Sequence, residues 1–232
     1  MRNYSMEMLA ELEGDPDRLT FNIPTRGDLD QLIQIEKACY HEATIIPPET
    51  IERRILYSPE NIHVLKDTET DTVLGSITMA PLRPDILEKL INLEIDETQI
   101  KVEEYLPFIP GTPLDCYVVS IIAKPSFAEK YYAGKLLLAT LNFLTELLDR
   151  GVILRHIYTV ATTPEGEKLA QHLQFTALRT HWSGEHEAFR HAYMLDLETV
   201  ESKHKLLKMY QNHKKNLERR KKRYQKEGMA EK

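Results

Sequence analysis

Several common features are scarce in this sequence, and each scarcity removes a class of protein. Only two cysteines are present, Cys39 and Cys116. They stand far apart, Cys116 lies in an apolar run, and neither belongs to a disulfide or zinc spacing. A disulfide scaffold is excluded, and a reducing, cytoplasmic setting is expected. No apolar run approaches the roughly 20 residues of a membrane-spanning helix. The first twenty residues carry Asp and Glu without an apolar core, so no secretory leader is expected. No Gly/Ser-rich linker and no internal repeat divides the 232 residues, which are enough for one sizeable core. Four histidines, His172, His181, His186 and His191, fall in one stretch. They lack close i/i+4 pairs and cysteine neighbours, so no metal site is expected. No Walker loop, Ser-His-Asp order or zinc spacing offers an enzyme class.

What is present begins with an uneven charge. From Glu201 onward there are twelve Lys or Arg against four Glu, a net +8, so a chain of net −6 carries −14 in its first two hundred residues. The expected organisation is one domain over residues 1–198 and a basic helical tail over 199–232. In the tail, Leu206, Tyr210, His213, Leu217, Arg220 and Tyr224 follow a four-three spacing. Two readings of it stand: a surface helix docked by Leu206, Leu207 and Tyr210, or a contact for nucleic acid or an acidic partner through residues 199–228.

In the body, Leu19–Ile23 alternates and predicts a strand closed by Pro24. Thr25 or Asp28 then caps a helix reaching Tyr40, with Leu29, Leu32, Ile33 and Cys39 or Ala38 turned inward. Pro48 opens a second helix. Asn61–Lys66 and Thr72–Met79 make a hairpin around Asp67–Asp71. Residues 81–113 hold a helical pattern at Ile86, Leu87, Leu90 and Ile91, then a Pro-bearing loop. Arg155–Ala161 is a strand, Thr162–His172 leads into a helix, and Phe175–His181 with Phe189–Leu197 form a last hairpin.

The chain is organised around Asp115–Gly151. Cys116–Ala123 is a short, almost wholly apolar run rich in β-branched residues, which predicts a strand buried on both faces. Pro125 closes it. Leu137, Leu141, Leu144 and Leu148 then recur at helical spacing, and Gly151 follows as a C-terminal stop. A strand, a tight loop and a helix in succession form an anion site, because the loop amides and the positive end of the helix dipole point the same way.

Ile121-Ile122-Ala123-Lys124-Pro125, the loop, and the Leu-rich helix ending in Arg150-Gly151 resemble the acetyl-CoA-binding segment of the GNAT superfamily of N-acetyltransferases. The family's loop follows a Q/R-x-x-G-x-G/A pattern. Counted on from Pro125 without a gap, this chain offers Ala128, Tyr131 and Ala133 at the three marked positions, and only the last fits. A shift of one residue places Gly134 last, with Glu129 and Tyr132 at the others. Lys124, Lys130 and Lys135 are nearby positive charges, or a solvated face.

The resemblance implies an α/β fold with a mixed, mostly antiparallel sheet flanked by helices, and acetyl-CoA as cosubstrate. It implies cofactor contacts at Ile121, Ile122 and Ala123 and along Ala128, Glu129, Lys130, Tyr131, Tyr132, Ala133, Gly134 and Lys135. It also implies a small-molecule amine or peptide acceptor, with the insertion at 81–113 beside the acceptor groove, in a monomer or homodimer. Three demands of acetyl transfer remain: a base for the ammonium, a donor for the oxyanion, and an acid for the leaving thiolate. The second falls to amides near Ile121–Ala123. The tyrosine that usually meets the third is replaced by Ala170, and Gln174 stands where the family has a glycine. For the base, Tyr117, His41 and Glu42 are the leading candidates, with Asp115 and His156 also open; a dipole-favoured helix-end role is the other reading of His41. The alternative function is a catalytically degenerate binding module acting through the insertion and the basic helix.

Overall fold

The computed structural model describes residues 18–40, 45–125, 130–184 and 188–230. Among these residues seven strands form one sheet: β1 (Leu19–Asn22), β2 (Ile62–Asp67), β3 (Thr72–Pro81), β4 (Pro113–Ala123), β5 (Ile153–Ala161), β6 (Thr176–Ser183) and β7 (Ala188–Asp196). Their order is β1-β2-β3-β4-β5-β7-β6. Every neighbouring pair is antiparallel except β4 and β5, which are parallel. The expected mixed, mostly antiparallel sheet is what the chain adopts.

Among the described residues six helices cover the sheet: α1 (Leu29–Cys39), α2 (Pro48–Tyr57), α3 (Pro84–Ile91), α4 (Lys130–Asp149), α5 (Pro164–His172) and α6 (Val200–Ala230). Local chemistry sets their ends. The Asp28 carboxylate accepts from both the amide and the hydroxyl of Thr25 before α1. Pro opens α2, α3 and α5. The Thr163 hydroxyl accepts from the Gly166 amide at 3.1 Å. Past α4, Gly151 sits at φ +81°, where a side chain would be strained.

Two apolar layers result. On one face α1, α2 and α3 pack on the sheet through Leu32, Ile35, Ile51, Ile55, Leu87 and Leu90. On the other, α4 contributes Leu137, Leu141, Leu144 and Leu147, and α6 adds Leu206. The tail helix docks by Leu206, which is fully buried, and by the partly buried Met209 and Tyr210. Leu207, expected inward, is 40% exposed: it is the residue next to Leu206, about 100° round the helix, and points past α4. Among the described residues no helix is long and apolar enough to cross a membrane.

Two irregularities shape the centre. Thr78 pairs with Ser120 but Met79 with Val118, so Val119 is an extra residue on β4. The parallel β4–β5 ladder ends at Val118↔Thr159. Beyond it β4 stays paired with β3 as far as Gly75↔Ala123, and β5 stays with β7 as far as Ala161↔His191. The sheet is therefore split along its middle at the C-terminal ends of its two parallel strands.

Candidate functional site

The split opens into a cavity of about 540 Å³. Val118 to Ala123 of β4 form one wall, and Ile157 and Thr159 to Ala161 of β5 form the other. Leu137, Thr140 and Leu141 of α4, Leu169 and Ala170 of α5, and Leu206 and Met209 of α6 line it on one face of the sheet. Cys39 and Tyr40, at the end of α1, line it on the opposite face. The cavity thus passes through the sheet and joins its two sides.

Backbone groups give it polarity. The Lys124 amide donates to the Leu74 carbonyl of β3 at 2.8 Å. Alternation along an extended strand then turns the amides of Ile121 and Ala123 the other way, toward the split. The Ala123 carbonyl accepts from the Cys39 thiol at 3.3 Å. At the branch point, the Thr159 hydroxyl donates to the Val118 carbonyl at 3.3 Å.

On the α1–α2 face, the insertion between β3 and β4 brings in a carboxylate. A 3₁₀ turn, Glu97–Gln99, is capped by Asp96. The buried Tyr117 hydroxyl of β4 donates to Glu97 Oε1. Arg190 of β7, only 4% exposed, places Nη2 3.9 Å from Glu97 Oε2 and donates to the Ile95 carbonyl at 2.9 Å. Arg54 of α2 donates to the Glu97 carbonyl at 3.2 Å and lies over the Tyr105 ring. Three elements therefore hold this turn. Burial pushes the Glu97 pKa up, against the pull of Tyr117 and Arg190; the side chain keeps 17% of its surface exposed. Burial likewise raises the phenols of Tyr117 and Tyr40, with the charge of Glu97 adding to the first and that of Glu36 to the second. Glu36 of α1 is 4% exposed, and burial lifts its pKa to about 7 although Arg54 opposes the shift. Its Oε2 has no hydrogen-bond partner among the described residues.

No family model matches the sequence, and no curated protein matches it. Solved structures do match. The loading GNATL domain of CurA from Lyngbya majuscula superposes with a TM-score of 0.56 at 15% identity, over 77% of this chain and 97% of that one. The GphF GNAT-like decarboxylase in complex with isobutyryl-CoA gives 0.56 at 11% identity, over 75% and 97%. Arabidopsis thaliana NAA60 in complex with acetyl-CoA gives 0.52 at 10% identity, over 78% and 99%. This chain has the GNAT fold.

Within that GNAT fold the residues singled out in the sequence are distributed unevenly. Ile121, Ile122 and Ala123 line the cavity, as does Ala170. Gly134 is buried in the first turns of α4, and Lys135 is half-buried beside it. Lys130, Tyr131, Tyr132 and Ala133 form the start of α4, with side chains outside the described residues. Ala128, Glu129, His41, Glu42 and His186 also lie outside the described residues. Tyr117 is fully buried on Glu97 rather than on the cavity wall.

Asp115 and His156 sit on the paired halves of β4 and β5, before the split. There Asp115 accepts from Arg155 at 2.6 Å and contacts His156 Nδ1 at 2.9 Å. His156, Asp196 and Glu198 place ligand-type atoms within 4.8 Å of one another. His172 and His181 are exposed, and His191 contacts the Thr180 hydroxyl.

Glu36, Tyr40, Glu97 and Arg190 were not singled out from the sequence as site residues. A buried charged side chain is rare enough to be informative, but nothing in an acidic insertion distinguishes Glu97 from Glu94 or Glu103.

Proposed function

We propose that this chain is an N-acetyltransferase that moves the acetyl group of acetyl-CoA to an amine, a small molecule or a peptide. The observation that carries the reading is the cavity through the split sheet. A narrow thioester arm entering from the α4–α5 face and an amine entering from the α1–α2 face would meet between β4 and β5. The residues suit the cofactor. The start of α4 offers amides and the positive end of a 20-residue helix to a diphosphate, with Lys130 and Lys135 close in sequence. The apolar lining from Leu137, Leu141 and Leu169 suits a pantetheine chain.

The amine must lose a proton before its nitrogen can attack the acetyl carbon. Glu97 is the proposed base: a carboxylate of raised pKa on the acceptor face, held by Tyr117, holds a proton more readily than an exposed one. Tyr117 acts through Glu97 as a positioning residue. As the N–C bond forms, charge collects on the acetyl oxygen, and the amides of Ile121 and Ala123 are placed to receive it. When the C–S bond breaks, the thiolate takes a proton. Ala170 cannot give one, and Tyr40 is the phenol lining the cavity. His41 and Glu42 follow Tyr40 directly in sequence and stay candidate acceptor contacts. The free thiols of Cys39 and Cys116 fit a reducing compartment, and we place the protein in the cytoplasm.

The test is release of free CoA thiol from acetyl-CoA in the presence of a panel of primary amines and peptide N-termini. Amine-dependent release is expected. Ala170 at the usual acid position favours a second reading, a GNAT-fold binding module. That reading predicts saturable acetyl-CoA binding with no release above buffer for any amine.

A further inference from the structure

Docking of the tail helix leaves a face of opposite character in solvent. Leu206 of α6 is fully buried, and Met209 and Tyr210 are partly buried beside it. On the same side His213 Nε2 donates to the Gly134 carbonyl of α4 at 2.9 Å. At about 100° per residue, Lys208, Gln211, Asn212, Lys215 and Arg219 fall on the far side of the helix. All five are exposed, and the exposed Lys205 and Lys214 flank them. From Lys205 to Arg219 five Lys or Arg stand against one acid, Glu218. The helix then runs on to Ala230 through five more Lys or Arg and one Glu.

Three properties of this basic run narrow what it fits. It is straight: Lys208, Lys215 and Arg219 are spread along about 16 Å of helix axis. It lacks an apolar stripe to sink into a lipid surface, because that side of α6 is used on α4 and the cavity wall. It also lacks the apolar anchors of a protein–protein interface. From Lys208 to Arg219 its exposed residues are all Lys, Arg, Gln, Asn or Glu.

A linear, regularly charged anion meets all three conditions. A nucleic-acid duplex carries one phosphate charge per about 1.7 Å of its axis, and Lys, Arg, Asn and Gln contact phosphates without reading bases. The body sets the orientation. Its net −14 over the first two hundred residues repels a polyanion and confines the contact to the outward face of α6.

We propose that the outward face of α6 binds the phosphate backbone of a nucleic-acid duplex, DNA or RNA, without sequence preference. This contact lies on the side of α6 turned away from the cavity and is independent of the acetyl-CoA reading.

The experiment is fluorescence anisotropy of labelled DNA and RNA duplexes, each in two unrelated sequences, titrated with the full chain. A protein of net charge −6 has no diffuse attraction for nucleic acid, so binding at low salt points to a local face. Wild type is expected to bind both sequences equally. Three phosphate contacts predict a fall of roughly 40-fold between about 50 and 200 mM salt. Lys208→Gln/Lys215→Gln/Arg219→Gln changes only exposed positions, and Gln is as good a helix former as Lys or Arg. It should bind at least about tenfold more weakly, with a shallower salt dependence and an unchanged circular dichroism spectrum. Lys208→Arg/Lys215→Arg, which keeps the charge, should keep the affinity. If the triple variant does not fold, Lys215→Gln alone must show a smaller loss of the same kind. A preference for DNA over RNA, or the reverse, names the source and supports the proposal. No binding by wild type at low salt overturns it, and so does equal binding by the folded triple variant. Binding to phosphatidylserine vesicles or to polyglutamate, with neither duplex bound, gives the face to a membrane or an acidic protein and also overturns it.

Discussion

Two carboxylates, one half-buried and one buried, separate the chemistry of this molecule from its stability. Glu97 is tied to Tyr117 and Arg190 on the α1–α2 face of the sheet. Glu36 is buried deeper, with one oxygen unpartnered among the described residues. If Glu97 is the base, Glu97→Gln should lower amine-dependent turnover by about 10²-fold or more and leave acetyl-CoA affinity unchanged. Because its pKa is raised, the wild-type rate should climb with pH as the carboxyl ionises, and this limb should vanish in the variant.

Glu36 gives a different signature. Its folded pKa of about 7 lies above its ordinary value of 4.5, so the folded state keeps a proton that the unfolded state releases. Its contribution is fully present below pH 4.5 and is lost as pH rises to about 7. Glu36→Gln should remove that slope, leaving the variant more stable than wild type at pH 8 by up to about 3 kcal/mol. Urea midpoints measured at pH 5 and pH 8 check this. Tyr117 carried one of the sequence-based roles because it sits on the central strand. Its full burial on Glu97 comes from a partner twenty residues away in an irregular turn, which no local pattern announces.

The elements were legible in proportion to how local their causes are. The β-branched run of β4, the leucine spacing of α4 and Gly151 at its end mark the central unit by short-range chemistry. The crossover between β4 and β5 fixes their parallel pairing, since such connections are right-handed and short. β4 begins three residues before the apolar run, at Pro113, because Pro is tolerated as the first residue of a strand. The extra residue Val119 could not be read, since a bulge shows only against a partner. Nor could the helix continuing through Gly228 to Ala230.

Gly75 of β3 supplies a test at this scale. A Cβ there would lie 2.7 Å from the Ile122 carbonyl oxygen and 3.1 Å from Leu136 Cδ2. Both neighbours belong to the central unit, and the carbonyl is backbone, which yields little. Gly75→Ala should cost about 1–3 kcal/mol, seen as a lowered urea midpoint. It should also weaken acetyl-CoA binding, because Ile122 and Ala123 would be pushed toward the split.

At the scale of the whole molecule, a GNAT-fold body of net negative charge carries a basic helix that packs along α4 to its first turns and continues to Ala230. Long-range docking of this kind escapes sequence reading: the heptad-like spacing identified a seam but not the surface it meets. The central claim is that the split between β4 and β5 receives acetyl-CoA. Thr159 stands at the last paired position, half-buried, with its side chain on the cavity wall. Thr159→Trp fills the split without touching the start of α4 or the basic run. The decisive measurement is a calorimetric titration of acetyl-CoA into wild type and Thr159→Trp, with circular dichroism confirming that both are folded. The account predicts saturable one-to-one binding to wild type and its loss in the variant. Equal binding by both proteins would contradict it.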